Sequence, residues 1–374
     1  MTGASLSSRL PALTPVVLED LETILAALDA EQRRFFSGSR VLVTGAAGAL
    51  GYELSHFLVA AADVLGIERL IAADSFLLGR PDWIHALSAH ELLRIERLDI
   101  TKPEILDLAA SERVDVILHL ASIASPVAYR ARPLETMTAN VDGLCRLLAY
   151  ARTRPLRKLL FFSSSEIYGE PDAAHLPTPE DYRGNVSTVG PRACYDEAKR
   201  YAEALCWVHA EHHRVPITIV RPFNNYGPGM ALDDGRAPAD FARAVLRGQE
   251  IELYSDGTPT RTFCYVADGI SGYLKAAAHP ARALSIFNIG MDGPELSVAA
   301  FAELFVRAAR ELTGRDVRLR RAAATERDYL VDNPSRRCPD IRRARSALGF
   351  DPRTTPEAGV RRYLRHLLAE RERV

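Results

Sequence analysis

Short apolar runs alternate with longer segments of helical periodicity through most of the chain. Near its start, Leu18, Leu21, Ile24, Leu25 and Leu28 recur at helical spacing within an acidic stretch that ends at Phe35, Phe36 and Gly38. That spacing predicts an appended amphipathic helix within residues 1–38. Beyond it, apolar runs at 40–44, 70–73, 114–120, 158–163 and 216–221 read as strands separated by helical patterns. Such alternation implies right-handed crossovers and a parallel sheet in an α/β fold, with ligands bound at the carboxyl ends of the strands. From about Phe223 the mixed α/β character continues with more Pro, Gly and Arg, and there is no internal repeat. A smaller second domain built on the first is expected there.

Composition narrows the class. With 374 residues, 47% hydrophobic and 25% charged, the chain has the makeup of a globular protein with a large core, which excludes disordered, collagen-like and disulfide-scaffold chains. Lys+Arg 47 against Asp+Glu 48 leave a net charge of -1. The positive field of a nucleic-acid binder is missing, so the expected partner is a small molecule. Five cysteines without a C-x-x-C pair suggest neither a disulfide framework nor a metal site. Glu19, Asp20 and Glu22 break the apolar character of the N-terminus and no run of 18 apolar residues follows, so no membrane segment and a cytoplasmic location are expected.

Three motifs carry chemistry. Gly45, Gly48 and Gly51 leave the first strand and open a helix, and Asp74 closes the next strand. Glycines at such a turn let backbone approach a pyrophosphate at a helix N-terminus, where unpaired N–H groups favour anions. Asp74 would bind the adenosine ribose and repel a 2′-phosphate, which favours NAD over NADP, with Arg80 close by as a moderating cation. Next, Tyr195 and Lys199 stand four apart on one helical face, where an ammonium can lower a phenol pKa and let tyrosinate act as a base. With 13 Tyr and four Lys in the chain, random placement rarely gives such a pair. The third motif, Ser164-Ser165-Glu166, follows the strand at 158–163, where a hydroxyl and a carboxylate could meet a substrate. On its own this motif reads equally as a turn or helix cap.

Taken together, these residues resemble the extended short-chain dehydrogenase/reductases that modify nucleotide sugars, and most closely the UDP-glucuronate decarboxylases (UDP-xylose synthases). The resemblance runs from about Arg40 to Leu367. It is carried by His119 through Pro126 with Tyr129, Gly184-Asn185 through Gly190-Pro191-Arg192-Ala193-Cys194-Tyr195-Asp196-Glu197, Asp234-Gly235-Arg236, Thr260-Arg261 with Phe263, Tyr265-Val266, and Arg337 through Asp340. It implies a Rossmann-type doubly wound parallel sheet with a smaller mixed α/β C-terminal substrate domain. The expected division is a helical extension at 1–38, an NAD-binding domain at 39–223 with a contribution from about 261–290, and nucleotide-sugar-binding segments at 224–260 and 291–374.

The resemblance also implies roles. Gly45, Gly48, Ala49, Leu50, Gly51, Asp74, Asp99, Ile100, Leu120 and Ala121 would hold NAD, with Tyr195 and Lys199 on the nicotinamide side. Ser164, Ser165 and Glu166 would join Tyr195 and Lys199 in catalysis, Ser164 bonding the sugar O4 and Glu166 standing as the catalytic carboxylate. Tyr129 and Arg192 would recognise a uronate carboxylate. Asn224, Arg236, Arg261 and Arg337 would serve the rest of the substrate, the three arginines at the diphosphate, with Arg337 also a participant in chemistry. The implied reaction oxidises C4, loses carbon dioxide from the resulting β-keto acid and returns the hydride. The helix of Tyr195 and the one near Asn140 to Ala151 would build a homodimer's four-helix bundle. The chain departs from the pattern at Gly229, which removes a possible phosphate partner, and in the long segment 76–93. A 4,6-dehydratase, a uronate 4-epimerase and a catalytically silent NAD-binding sensor or scaffold are the alternatives. Ser165 stands where many dehydratases carry an acid, and it cannot supply that proton.

Overall fold

A computed structural model describes residues 10, 13–280, 284–323, 328 and 331–373. Seven strands form one parallel sheet: β1 (Arg40–Thr44), β2 (Arg69–Asp74), β3 (Leu93–Arg97), β4 (Val116–His119), β5 (Lys158–Phe162), β6 (Ile217–Pro222) and β7 (Ser285–Ile289). Their spatial order is β7-β6-β5-β4-β1-β2-β3, so the order reverses between β1 and β4 and opens a crevice at the strands' carboxyl ends. Both faces of the sheet are covered, which explains the unbroken apolar runs. Along β1, Val41 and Val43 face one core with Phe57 and Ile270, whereas Leu42 faces another with Leu144 and Leu147. The period-2 alternation thus divides one strand between two helical layers.

Two strands escape the sequence pattern. In β3, Arg94 and Glu96 interrupt the apolar run, and Arg94 pairs with both Glu96 and Glu112. Charges are tolerated because β3 is an edge strand. At the opposite edge, β7 returns to the sheet after the chain has left it for the C-terminal segments. There Thr260–Arg261 pairs with Leu296–Ser297 and Arg336–Arg337, and Ile251–Leu253 pairs with Leu319–Arg321.

The N-terminal segment forms two helices, Pro15–Ala27 and Ala30–Phe35, the second closed by a capping box between Asp29 and Gln32. Val16, Val17, Leu21, Ile24 and Leu28 are buried, each worth about 1.5–3 kcal/mol of transfer free energy. The first helix packs against the helices Ala49–Ala60, Val266–Ala278 and Pro356–Arg373, so it belongs to the main core. Its buried Asp20 accepts hydrogen bonds from the Tyr265 hydroxyl at 2.6 Å and from Arg362 at 2.7 Å. Among the described residues no helix is long and apolar enough to cross a membrane, and no cluster of His, Cys, Asp and Glu is suited to a metal ion. The five cysteines are free thiols.

Candidate active site

All the candidate residues line one cavity of about 1260 Å³ at the carboxyl ends of the strands, with segments 224–263 and 333–370 supplying the far wall. The glycine turn fits a dinucleotide. A Cβ on Gly45, whose φ is +71°, would lie 2.6 Å from the Ala121 Cα, and one on Gly51 would lie 2.3 Å from the Ala46 carbonyl oxygen. Gly48 caps the helix Ala49–Ala60 without any side-chain bond, leaving the helix N–H groups to the cavity. Asp74 accepts from the Ala47 N–H at 2.9 Å and the Phe76 N–H at 2.8 Å, one on each oxygen. Each oxygen keeps a lone pair for a ribose hydroxyl. Burial pushes the Asp74 carboxyl up, and the two backbone N–H groups oppose it. Asp99 is fixed by Thr101, whose N–H and hydroxyl both donate to it, and Leu120 and Ala121 press on the glycine turn.

Tyr195 and Lys199 lie on the helix Ala193–His213, both buried. The Tyr195 ring stacks on Tyr129 with centroids 5.3 Å apart, and the nearby Ser164 hydroxyl acts to lower its phenol pKa. Here the structure corrects the expectation that Lys199 lowers the phenol pKa. Burial dominates, pushing Tyr195 up to about 12 and Lys199 down to about 7. The Lys199 ammonium donates to the Phe162 carbonyl at 2.7 Å and stands 5.8 Å from the centre of the Tyr195 ring.

Glu166 is the hub of the site. It lies in the short 3₁₀ turn Ser165–Tyr168 after β5, where the Ser164 hydroxyl accepts the Glu166 N–H. Arg337 grips its carboxylate through two bonds of 2.6 Å, and Arg192 bonds one of the same oxygens. Burial acts to raise the Glu166 pKa, but Arg192 and Arg337 beside it hold the carboxyl well below the usual range. A carboxylate so held is a poor base. Glu166 stands in the cavity where the catalytic carboxylate is expected, and it orients two arginines there.

The other arginines are differently engaged. Arg261 donates to the carbonyls of Thr260, Pro334 and Ser335 and to Asn333 Oδ1. It fixes the 333–335 loop instead of presenting a free fork to a diphosphate. Burial and the nearby Arg337 push it down to about 9. Arg236 pairs with Asp234 and stays partly exposed on the cavity wall. Asn224 donates to the Thr262 carbonyl at 2.8 Å.

The departures from the expected pattern have structural causes. Tyr52 and the Ala49 carbonyl occupy the space beside Gly229, leaving no room for a side chain there. Leu77, Leu78, Arg80 and Trp83 of the long segment line the cavity near Asp74, so that segment is a wall of the site. Sequence reasoning missed Tyr52, Trp83 and Asn333, for which no motif speaks. It also passed over Asp196, although that residue stands inside the specific run around Tyr195.

Comparisons with known proteins bear on the family and the fold. Residues 41–290 match the NAD dependent epimerase/dehydratase family. The chain is 36% identical over 326 residues to UDP-glucuronic acid decarboxylase 6 of Arabidopsis thaliana, covering 87% of this chain and 88% of that protein. Among solved structures, UDP-glucuronic acid 4-epimerase of Bacillus cereus in complex with UDP-glucuronic acid and NAD superposes with a TM-score of 0.72 at 23% identity, covering 88% of this chain and 99% of the other. The dTDP-glucose 4,6-dehydratase of Streptomyces venezuelae gives 0.76 at 24% identity, covering 89% and 98%. These two share the fold.

Proposed function

The chain belongs to the NAD dependent epimerase/dehydratase family, whose cofactor is NAD, and we propose that it decarboxylates UDP-glucuronate to UDP-xylose. The observation that carries this reading is the cationic corner formed by Arg192 and Arg337, which flank Glu166 in the same cavity as Tyr195. Arg337 commits its fork to Glu166, whereas Arg192 bonds it through Nη2 alone, so Arg192 suits a carboxylate on the reacting sugar. The identity to a plant decarboxylase supports the same choice.

Gly45, Gly48, Gly51 and Asp74 would hold NAD, with Asp74 selecting it over NADP. When bound, NAD supplies the hydride acceptor and a positive charge near the phenol. Tyr195 takes the O4 proton, with Ser164 sharing it and Lys199 anchored behind. Oxidation at C4 makes the sugar's carboxylate β to a ketone. The C5–C6 bond then breaks, carbon dioxide leaves, and the electron pair moves into an enolate that the Tyr195 and Ser164 hydroxyls stabilise. Arg192, with Tyr129 beside it, holds the carboxylate until it departs. Protonation at C5 and reduction at C4 complete the cycle with no net NADH.

The test is UDP-glucuronate labelled at C6. Labelled carbon dioxide and UDP-xylose are expected. UDP-galacturonate without labelled gas would establish the epimerase alternative, and inertness toward uronates would move the reading to a hexose dehydratase. Inertness toward every nucleotide sugar would leave the silent sensor.

The reading includes a homodimer. Helices Pro133–Thr153 and Ala193–His213 pack together and leave Leu134, Met137, Tyr201 and Trp207 exposed, which supports a second copy there. Light scattering at twice the 41.2 kDa chain mass is expected; a strictly monomeric mass would refute this part.

A further inference from the structure

Arg192 is approached from two sides. Its Nη2 bonds Glu166, which lines the cavity, while its Nε faces Asp196 Oδ2 at 3.7 Å. Asp196 does not line the cavity and is only 5% exposed. Its Oδ1 has no hydrogen-bond partner among the described residues, and neither has the Arg192 Nε. At 3.7 Å the two groups are too far apart for a hydrogen bond, so Asp196 acts on Arg192 through charge. No proton-transfer role in the site accounts for a carboxyl buried in this place.

The surroundings of Asp196 are mixed in charge. Glu166 faces it from the turn after β5, Tyr129 from the helix Pro126–Ala131, Arg337 from the strand Arg336–Arg337, and Asp332 from the loop before that strand. Arg192, Cys194 and Tyr195 face it from its own helix and that helix's N-cap. Ionised, Asp196 extends a line of alternating charge through Arg192 to Glu166 and adds negative potential against an incoming carboxylate. Protonated, it leaves the Arg192 charge to Glu166 and the substrate.

We infer that Asp196 is a positioning residue that sets how strongly Arg192 takes a substrate carboxylate. This rests on the uronate reading above. Burial and the neighbouring Glu166 push the Asp196 carboxyl up to about 7, against the pull of Arg192 and Arg337. The sign follows: as pH rises through this range Asp196 gains negative charge, and affinity for a uronate falls.

The experiment measures dissociation constants of UDP-glucuronate and UDP-glucose on the NAD-loaded protein between about pH 6 and 8.5. It compares the parent with Asp196→Asn and Asp196→Glu. In the parent, UDP-glucuronate binding should weaken by roughly three- to tenfold across the range, the scale of one added like charge in a partly screened site. Asp196→Asn should abolish that slope and Asp196→Glu should retain it. UDP-glucose, which has no carboxylate, should show the same pH dependence in all three proteins. Lys199 titrates in the same range, but it does so in each protein and cancels in the comparison. Equal UDP-glucuronate slopes in parent and Asp196→Asn would overturn the inference, as would an Asn variant that loses UDP-glucose equally. Labelled carbon dioxide with equal slopes removes only the inference. The expected difference in slopes without any product removes only the proposed reaction.

Discussion

Gly229 and Tyr52 are a matched pair across the cavity: a Cβ on Gly229 would lie 2.5 Å from the Tyr52 Cβ and 2.6 Å from the Ala49 carbonyl oxygen, at a φ of +87°. Gly229→Ala should therefore destabilise the protein by about 2 kcal/mol or more, from backbone strain and overlap together. Adding Tyr52→Ala should recover little, because alanine keeps the Cβ and the Ala49 carbonyl remains. Denaturant midpoints measure both; an alanine variant as stable as the parent would contradict the pairing.

Asp74 is oriented by two backbone N–H groups, so its preference for a free ribose is built into the loop. The unmodified protein should bind NAD more tightly than NADP, and Asp74→Ala should narrow the gap by weakening NAD. Fluorescence titration with each cofactor decides, and tighter NADP binding by the parent would reject the assignment.

Tyr195→Phe keeps the ring stacked on Tyr129 and removes the ionisable hydroxyl. Turnover should fall by roughly two to four orders of magnitude, while nucleotide-sugar binding stays within a few-fold. Single-turnover kinetics and calorimetry separate the two quantities. Near-parental turnover would remove Tyr195 from proton transfer.

Glu166→Gln leaves Arg192 and Arg337 buried without their common anion, a loss of roughly 3–5 kcal/mol for a broken buried pair. The folded pKa of Glu166 lies below its ordinary value of 4.5, so its stabilisation is complete above that value and fades as acid titrates the folded carboxylate. The stability gap between parent and variant should narrow as the pH falls below about 4.5. A gap unchanged between about pH 4.5 and 3 would show that the anion is not held as described.

The Lys199 pKa is lowered as well, but by burial and in a higher pH range. Burial lowers its pKa from 10.5 to about 7, so between these values the folded chain binds fewer protons than the unfolded one. Its contribution to stability therefore rises with pH across that interval. Relative to Lys199→Met, the parent should gain stability between pH 7 and 9, measured by chemical denaturation at each pH. Parallel stability curves for the two proteins would exclude this.

The local pattern of the chain determined the Rossmann frame. β1, β2, β4, β5 and β6 were legible because a sheet covered on both faces needs continuous apolar runs, and the glycine turn was legible because only glycine admits the contacts at Gly45 and Gly51. The edge strand β3 was not, since its charges are satisfied by Glu96 and by Glu112, which is distant in sequence. Residue types also named the members of the site, because each motif is local and sits where a strand ends.

What each member does was decided by tertiary structure. Glu166 is held as an anion because Arg192, 26 residues away, and Arg337, 171 residues away, converge on it. The Tyr195 phenol rises in pKa despite a nearby ammonium because the surrounding chain removes water from both groups. Gly229 reads as a missing phosphate ligand in one dimension and as the only residue that fits against Tyr52 in three. Charge and desolvation act through space, and the spacing of residues along a chain does not encode those distances.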